Sequence, residues 1–278
     1  MPDPQPKPFR TVDARPDAAS MVKPGEMIDV IEMTPLTLSD RRVYNMLIEN
    51  AWDTIDQPVA HSIELRALRG TRDANDRVGE SIERLMASIA RLEIELNGKR
   101  YIRRVQLLGE TDQDKTEEGL LYYRFPSGLR AIIRKSRMFA RLRKDIIFAL
   151  SSKYALALYE LCEKRVNLDW KWSEEFTVER FRQLLGVDQG KLKAFKNFNQ
   201  KAIQPAVAEV NFLSDFGCSV EPVTAGRKVV KIRLTWWKKN LEEIKAAYSE
   251  LQAAKVGRRA RLNGTVEALQ PAPPFLPA

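Results

Sequence analysis

Apolar positions along the 278-residue chain recur every three or four residues in some stretches and every second residue in others. The first spacing marks amphipathic helices, the second half-buried strands. Leu156, Tyr159 and Cys162 keep the helical spacing in a segment that Ser151 or Ser152 can cap. Phe181, Leu184 and Leu185 predict a second helix after Thr177, with Arg180 at the capping-box position instead of Glu, and Gly186 as its stop. Asp188 can then cap a third helix, whose inward side is Leu192, Phe195, Phe198 and Ile203. Beyond it Phe216, Cys218 and Val220 alternate, residues 224–226 turn the chain, and Val230, Ile232, Leu234 and Trp236 alternate again. That pattern is a β-hairpin with one apolar and one basic face. A last helix over 238–254 carries Leu241, Ile244, Ala247, Tyr248 and Leu251 on the side expected to pack back on this unit.

The first half follows the same order. A folded unit starts near Ile28, and a helix opens at Leu38 or Ser39 with Val43, Leu47 and Trp52 pointing one way. Residues 63–68 make a short helix or turn, and 70–73 a turn. Val78, Ile82, Leu85, Ile89 and Leu92 predict a helix over 77–92, and Asn97-Gly98 reads as a helix-ending signal. Residues 101–108 and 120–125, separated by an acidic loop at 110–118, complete a hairpin. The 78–92 stripe packs this unit as core; as a coiled-coil seam it would dimerise, but it is shorter than that role needs.

Candidate chemistry enters on the third helix of the second unit. Lys191, Lys193, Lys196, Asn197, Gln200 and Lys201 fall largely off its apolar side, and no acidic residue lies between 191 and 208. Lysines hold phosphates, while Asn or Gln can bond adenine bidentately in the major groove. Taken alone, the segment fits a solvated face or a recognition helix. The hairpin behind it, with Arg227 and Lys228 where a wing tip meets the DNA backbone, favours the recognition helix. In the first unit Arg72, Arg77 and Arg84 lie off the apolar stripe. Between the units Arg134, Lys135, Arg137, Arg141, Arg143 and Lys144 form the densest basic run. It is either a solvated linker helix or a segment crossing DNA between two footprints.

Composition extends this to the whole chain. A balance of 46 Lys+Arg against 37 Asp+Glu, net +9, favours polyanionic partners, nucleic acid before an anionic membrane. No apolar run reaches the roughly 18 residues of a membrane span. The Pro-, Asp- and Lys-rich start has no secretory core, so a bacterial cytoplasm is the expected location. Cys162 and Cys218 both sit on apolar faces and read as reduced core residues. His61, in a loop-like stretch, is the single histidine, and one histidine cannot form the metal-holding pair of a DNA-nicking enzyme. With two distant cysteines it cannot complete a zinc site either. The segment 186–191 has the outline of a P-loop, but three residues separate its glycines instead of four, and Leu192 follows where Ser or Thr must hold magnesium. Glu174-Glu175 and Glu117-Glu118 read as surface charge. No enzymatic activity, metal or cofactor is expected.

Three motifs also carry a resemblance. They are Ser152-Lys153-Tyr154 with the Leu158-Tyr159-Glu160-Leu161 core, the Phe195-Lys196 to Pro205-Ala206 segment, and Glu209-Val210-Asn211. Together they resemble the second winged helix of iteron-binding plasmid replication initiators, with Val210 where the family has Ile, and the likeness is clearest over 150–236. The resemblance implies an α+β fold of two tandem winged-helix domains, and the proline- and charge-rich ends of the chain read as disordered N- and C-terminal tails. Its parts are a leader at 1–25, a first winged helix at 26–133 for dimerisation and DNA contact, and a basic linker at 134–150. The second winged helix, the main recognition unit, spans 151–254, and a flexible basic, proline-containing tail spans 255–278. The resemblance further implies binding to repeated sites in double-stranded origin DNA, origin opening, and recruitment of host helicase, its loader and host initiator proteins. It also implies autoregulation by a homodimer in equilibrium with a monomer. A winged-helix transcriptional regulator without a replication role remains the alternative.

Overall fold

The structure is a computed structural model, and it describes residues 9–32, 34, 36–69, 75–114 and 119–265. The first half runs β1 (Ser20–Pro24), α1 (Gly25–Ile28), β2 (Ile31–Glu32), α2 (Leu38–Asn50), β3 (His61–Glu64), α3 (Leu65–Leu68) and α4 (Asn75–Ala87). It continues with β4 (Ile89–Leu96), β5 (Lys99–Gln106), β6 (Thr111–Gln113), β7 (Leu120–Tyr123), α5 (Ser127–Lys135), β8 (Phe139–Arg143) and α6 (Lys144–Ala149). The second half opens with α7 (Lys153–Val166), β9 (Ser173–Thr177), α8 (Val178–Leu184) and α9 (Phe195–Phe198). A π-helical turn (Asn199–Ile203) leads into α10 (Gln204–Leu213), then β10 (Phe216–Ala225), β11 (Lys228–Lys238), α11 (Leu241–Gln252) and α12 (Arg258–Leu262).

α7 joins the halves. Ser152 Oγ caps it, accepting from Ala155 N–H at 3.1 Å. Leu156, Leu158, Tyr159, Leu161 and Cys162 are all buried, so the helix is apolar on most sides, as a helix inside a core must be. Tyr159 stacks on Phe216 of the second half, and its hydroxyl accepts from the N–H of Arg143 in the first. Polar groups complete the joint. Lys23 of β1 pairs with Glu160 at 2.8 Å, with Asn45 of α2 bonded to both, and all are buried. Lys164 and Arg165 converge on Asp29, whose own carbonyl accepts from Arg180 of α8. Removing one member of such a buried pair leaves an uncompensated charge, which makes the joint intolerant of substitution.

The second unit is a winged helix. Thr177 caps α8 by accepting from Arg180 N–H, and Gly186, with φ +66°, stops it while its N–H bonds Gln183 O. The sheet order is β10-β11-β9. β9 is mostly polar, and only Phe176 marks its inner side. Asp188 does not cap the third helix. It pairs with Lys153 at 2.6 Å, and the chain turns through Gly190 (φ +80°) and Leu192 (φ +48°) before α9 begins.

The first half departs from its expected plan in three places. α4 ends at Ala87, where Ser88 Oγ bonds Arg84 O at 2.6 Å. Ile89 and Leu92 therefore lie on β4: their spacing matched a helix, but the buried residues Ala90 and Leu92 follow the strand period. Asn97 and Gly98, with φ of 51° and 72°, form the two-residue turn between β4 and β5 rather than a helix end. The hairpin is thus β4–β5, extended by β2, and β7 pairs with β3 and β6 in a separate sheet. His61 opens β3 and is buried, not in a loop.

The expected linker and the described parts of the two expected tails, 9–25 and 255–265, also take a different form. Residues 139–143 are strand β8, paired with β1, so Ala140 and Leu142 face the core while Arg141 alternates outward. All five β1 residues are buried, and Trp52 Nε1 donates to Ala14 O at 2.8 Å, so residues 9–25 are ordered despite their prolines. At the other end Arg258 and Arg261 of α12 close on Glu250 at 3.0 and 2.6 Å, which fixes a segment expected to be free. α11 packs through Ala247, half-buried Ile244 and half-buried Leu251, whereas Leu241 and Tyr248 stay exposed. Expected features at 1–8, 70–74, 115–118 and 266–278 lie outside the described residues.

Candidate nucleic-acid interface

The third helix of the second unit is held from behind. Phe198, Ala202, Ile203, Ala206 and Val210 are buried. Arg182 of α8 stacks on the Phe198 ring at 4.9 Å and donates to the carbonyls of Lys191 and Leu192. One guanidinium therefore secures both the turn and the first residues of the helix. Lys191 and Lys193 sit in that turn rather than on the helix, and both are exposed.

On the outer side Lys196, Asn197, Gln200, Lys201 and Gln204 are exposed. Among the described residues, none of these side chains, nor Lys191 or Lys193, has an ion-pair or hydrogen-bond partner. Free ammonium groups can replace counterions along a phosphate backbone, and free amides one turn apart can meet base edges. Arg227 and Lys228 are exposed at the tip of the β10–β11 hairpin. Gly226 (φ +61°) makes that tight turn. Lower on the same hairpin, Lys231 and Arg233 are bonded to Glu175 of β9, at 3.1 and 2.8 Å.

The other candidates divide. Arg84 is bound to Asp40, whose side chain is fully buried, through contacts of 2.9 to 3.1 Å. Burial alone would raise the Asp40 carboxyl, but the Arg84 bonds, with Ser81 and Thr37, hold it below the usual carboxylate value. Arg84 is thus a structural group, and its helix presents Glu80 and Glu83 to solvent. Arg77 lies on α4, and Arg72 lies outside the described residues. In the former linker Arg134 pairs with Asp56, Arg141 with Asp17 and Arg143 with Asp145, while Lys135 and Arg137 are exposed. Sequence reasoning missed Lys99, Arg100 and Arg104 on β5, exposed beside Tyr101 and Ile102. Their clustering was visible, but with the hairpin misplaced they had no surface to belong to.

Among the described residues no group of three or more His, Cys, Asp or Glu is placed to hold a metal ion, and no helix is long and apolar enough to cross a membrane. Residues 20–163 match a family model described as initiator replication protein, WH1, and residues 177–236 match initiator Rep protein, WH2. No curated protein matches the chain in sequence. Among solved structures it is similar to a Pi initiator protein in complex with iteron DNA, at 18% identity and a TM-score of 0.53. That alignment covers 80% of this chain and 98% of the other, and at such identity the likeness is one of fold.

Proposed function

The chain belongs to the initiator Rep protein family, with both winged helices present, and from that premise we propose that it initiates replication of a plasmid by binding iterons, repeated sites at the origin. The observation that carries this reading is the helix beginning at Phe195, which leaves two lysines and three amides exposed and, among the described residues, unpaired. Asn197 and Gln200 reach base edges, and Lys193, Lys196 and Lys201 hold the backbone. Lys191 adds a cation in the turn, and Arg227 and Lys228 place the wing tip on phosphate. Lys135 and Arg137 extend the contact toward the first unit. The protein acts by binding and by recruiting host helicase, its loader and initiator proteins, without chemistry of its own, in the cytoplasm.

A homodimer in equilibrium with the monomer forms through the first unit. β5 is the open edge of its sheet, with Tyr101 and Ile102 exposed, and such an edge pairs readily with a second copy. An Ile102→Glu chain should sediment as a monomer where the wild type is dimeric, and identical sedimentation would remove this surface. The functional test is a plasmid carrying only this gene and its flanking repeats, in a host lacking other initiators. Maintenance of that plasmid supports initiation. Its loss, with promoter binding intact, leaves a transcriptional regulator.

A further inference from the structure

Pro205 stands inside the helix that carries the candidate reading face, a place where proline is poorly tolerated. It has no N–H for the i→i−4 bond, and its ring clashes with the carbonyl four residues back, here that of Lys201. The backbone departs from α geometry at that place. Asn199–Ile203 is π-helical, and the N–H of Gln204 donates to Asn199 O, five residues back. No glycine occurs between 195 and 213 that would otherwise account for the wider turn.

The exposed side shows what the turn does. In an unbroken α-helix, residues four apart drift around the axis by about 40° per step. The π turn takes up this drift by adding a residue to one turn. Phe198, Ala202, Ala206 and Val210 are all fully buried at a spacing of four. Opposite them, Lys196, Gln200 and Gln204 form one exposed row, and Asn197, Lys201 and Pro205 another. Without the wider turn, seating both Phe198 and Val210 in the core would wind these rows around the axis.

We propose that Pro205 is a positioning residue for base readout, holding the π turn that keeps the row of Gln200 and Gln204 and the neighbouring row of Asn197 straight along the side facing DNA. This rests on the reading of the helix as the base-reading element.

Ala in place of Pro restores the missing N–H and suits a helix, so Pro205→Ala should keep or raise the melting temperature. The probes are the duplex most enriched from a random pool by the wild-type chain and a scrambled duplex of the same composition. Pro205→Ala is expected to bind the scrambled duplex within about twofold of wild type, while the ratio of the two affinities falls about tenfold. A ratio unchanged from wild type overturns the proposal. So does an equal loss on both duplexes with a lower melting temperature, which would mark Pro205 as structural only. Asn197→Ala, measured alongside, separates the premise: if it lowers the ratio, the reading of the helix stands whatever Pro205→Ala does. If Asn197→Ala leaves the ratio intact, the premise and the proposal fall together.

Discussion

α4 and the helix that runs from Phe195 to Leu213 hold the same place in their units, each the last helix before a hairpin. Their outward residues differ. α4 presents Glu80 and Glu83, and its Arg84 is tied to a buried carboxylate. The later helix presents Lys196, Asn197, Gln200 and Lys201, without a partner among the described residues. Position in a winged helix therefore does not by itself make a reading helix; the outward groups must be free to bond a phosphate or a base. In the first unit exposed cations lie instead on β5, among them Lys99, Arg100 and Arg104. On the proposed function, base reading falls to the second unit and, at most, backbone contact to the first.

The largest effect expected from breaking this contrast is on stability. Arg84→Ala strips a buried carboxylate of its main partner and should cost on the order of 3 kcal/mol in denaturant unfolding. The folded fraction should keep its discrimination between DNA sequences. A variant of unchanged stability but weaker DNA binding would make α4 a contact helix after all. The acid response carries the same information. The folded carboxyl of Asp40 sits below its unfolded value, so its contribution is present above the unfolded pKa and is lost as pH falls through the folded one. Wild type should therefore lose more stability than Arg84→Ala on acidification.

Next in size are the variants of the reading helix. Asn197→Ala should relax sequence preference by about 1–3 kcal/mol, whereas Lys196→Ala should weaken selected and scrambled duplexes alike. Both residues are exposed, so stability should stay within about 0.5 kcal/mol of wild type. Equal losses by the two variants on both duplexes would dissolve the division between reading and holding.

Salt dependence sharpens the contrast from the other side. With both units on phosphate, the log–log slope of affinity against salt should be roughly −6 or steeper. Arg100→Ala should make it shallower by about 1 if β5 touches the backbone. An unchanged slope would leave the second unit as the only DNA-binding part.

The smallest expected effect concerns mild acid. Burial, helped by the charge of Arg130, lowers the pKa of His61 in the first unit. Its contribution is present above the unfolded value, near 6.5, and is lost as pH falls toward the folded one. Glu163 works in the opposite sense: burial and the charge of Asp215 push it up to about 8, so it favours the folded state as pH falls through that value. The stability difference between wild type and His61→Phe isolates the histidine. It should be flat above pH ~7 and move against wild type below. A difference independent of pH would show that His61 does not titrate on folding.

The second unit was far more legible in the sequence than the first. Its caps at Ser152 and Thr177, the stop at Gly186 and the alternation from Ile232 to Trp236 are local signals, and each is where the pattern put it. The first unit is built from contacts that no local pattern carries. β1 gains its partner β8 from more than a hundred residues away, so prolines and charges around it read as a loose leader. The spacing of Leu85, Ile89 and Leu92 is shared by a helix and by a helix that breaks into a strand, and only Ser88 marks the break. Among the candidate residues, those of the helix beginning at Phe195 stand out in the sequence because acids are missing around them. Arg84, Arg134, Arg141 and Arg143 were not separable from them, because Asp40, Asp56 and Asp17 lie far away in sequence, and the local Asp145 gave no warning.

The most direct test of the division of labour is a selection of duplexes from a random-sequence pool. It would be run in parallel with the wild-type chain, an Asn197→Ala/Gln200→Ala chain and a Glu80→Gln/Glu83→Gln chain. The account predicts a defined motif for wild type, loss of base preference within it for the first variant, and the unchanged motif for the second. A motif that survives loss of Asn197 and Gln200 but changes when Glu80 and Glu83 are altered would place the reading in the first unit and contradict the account.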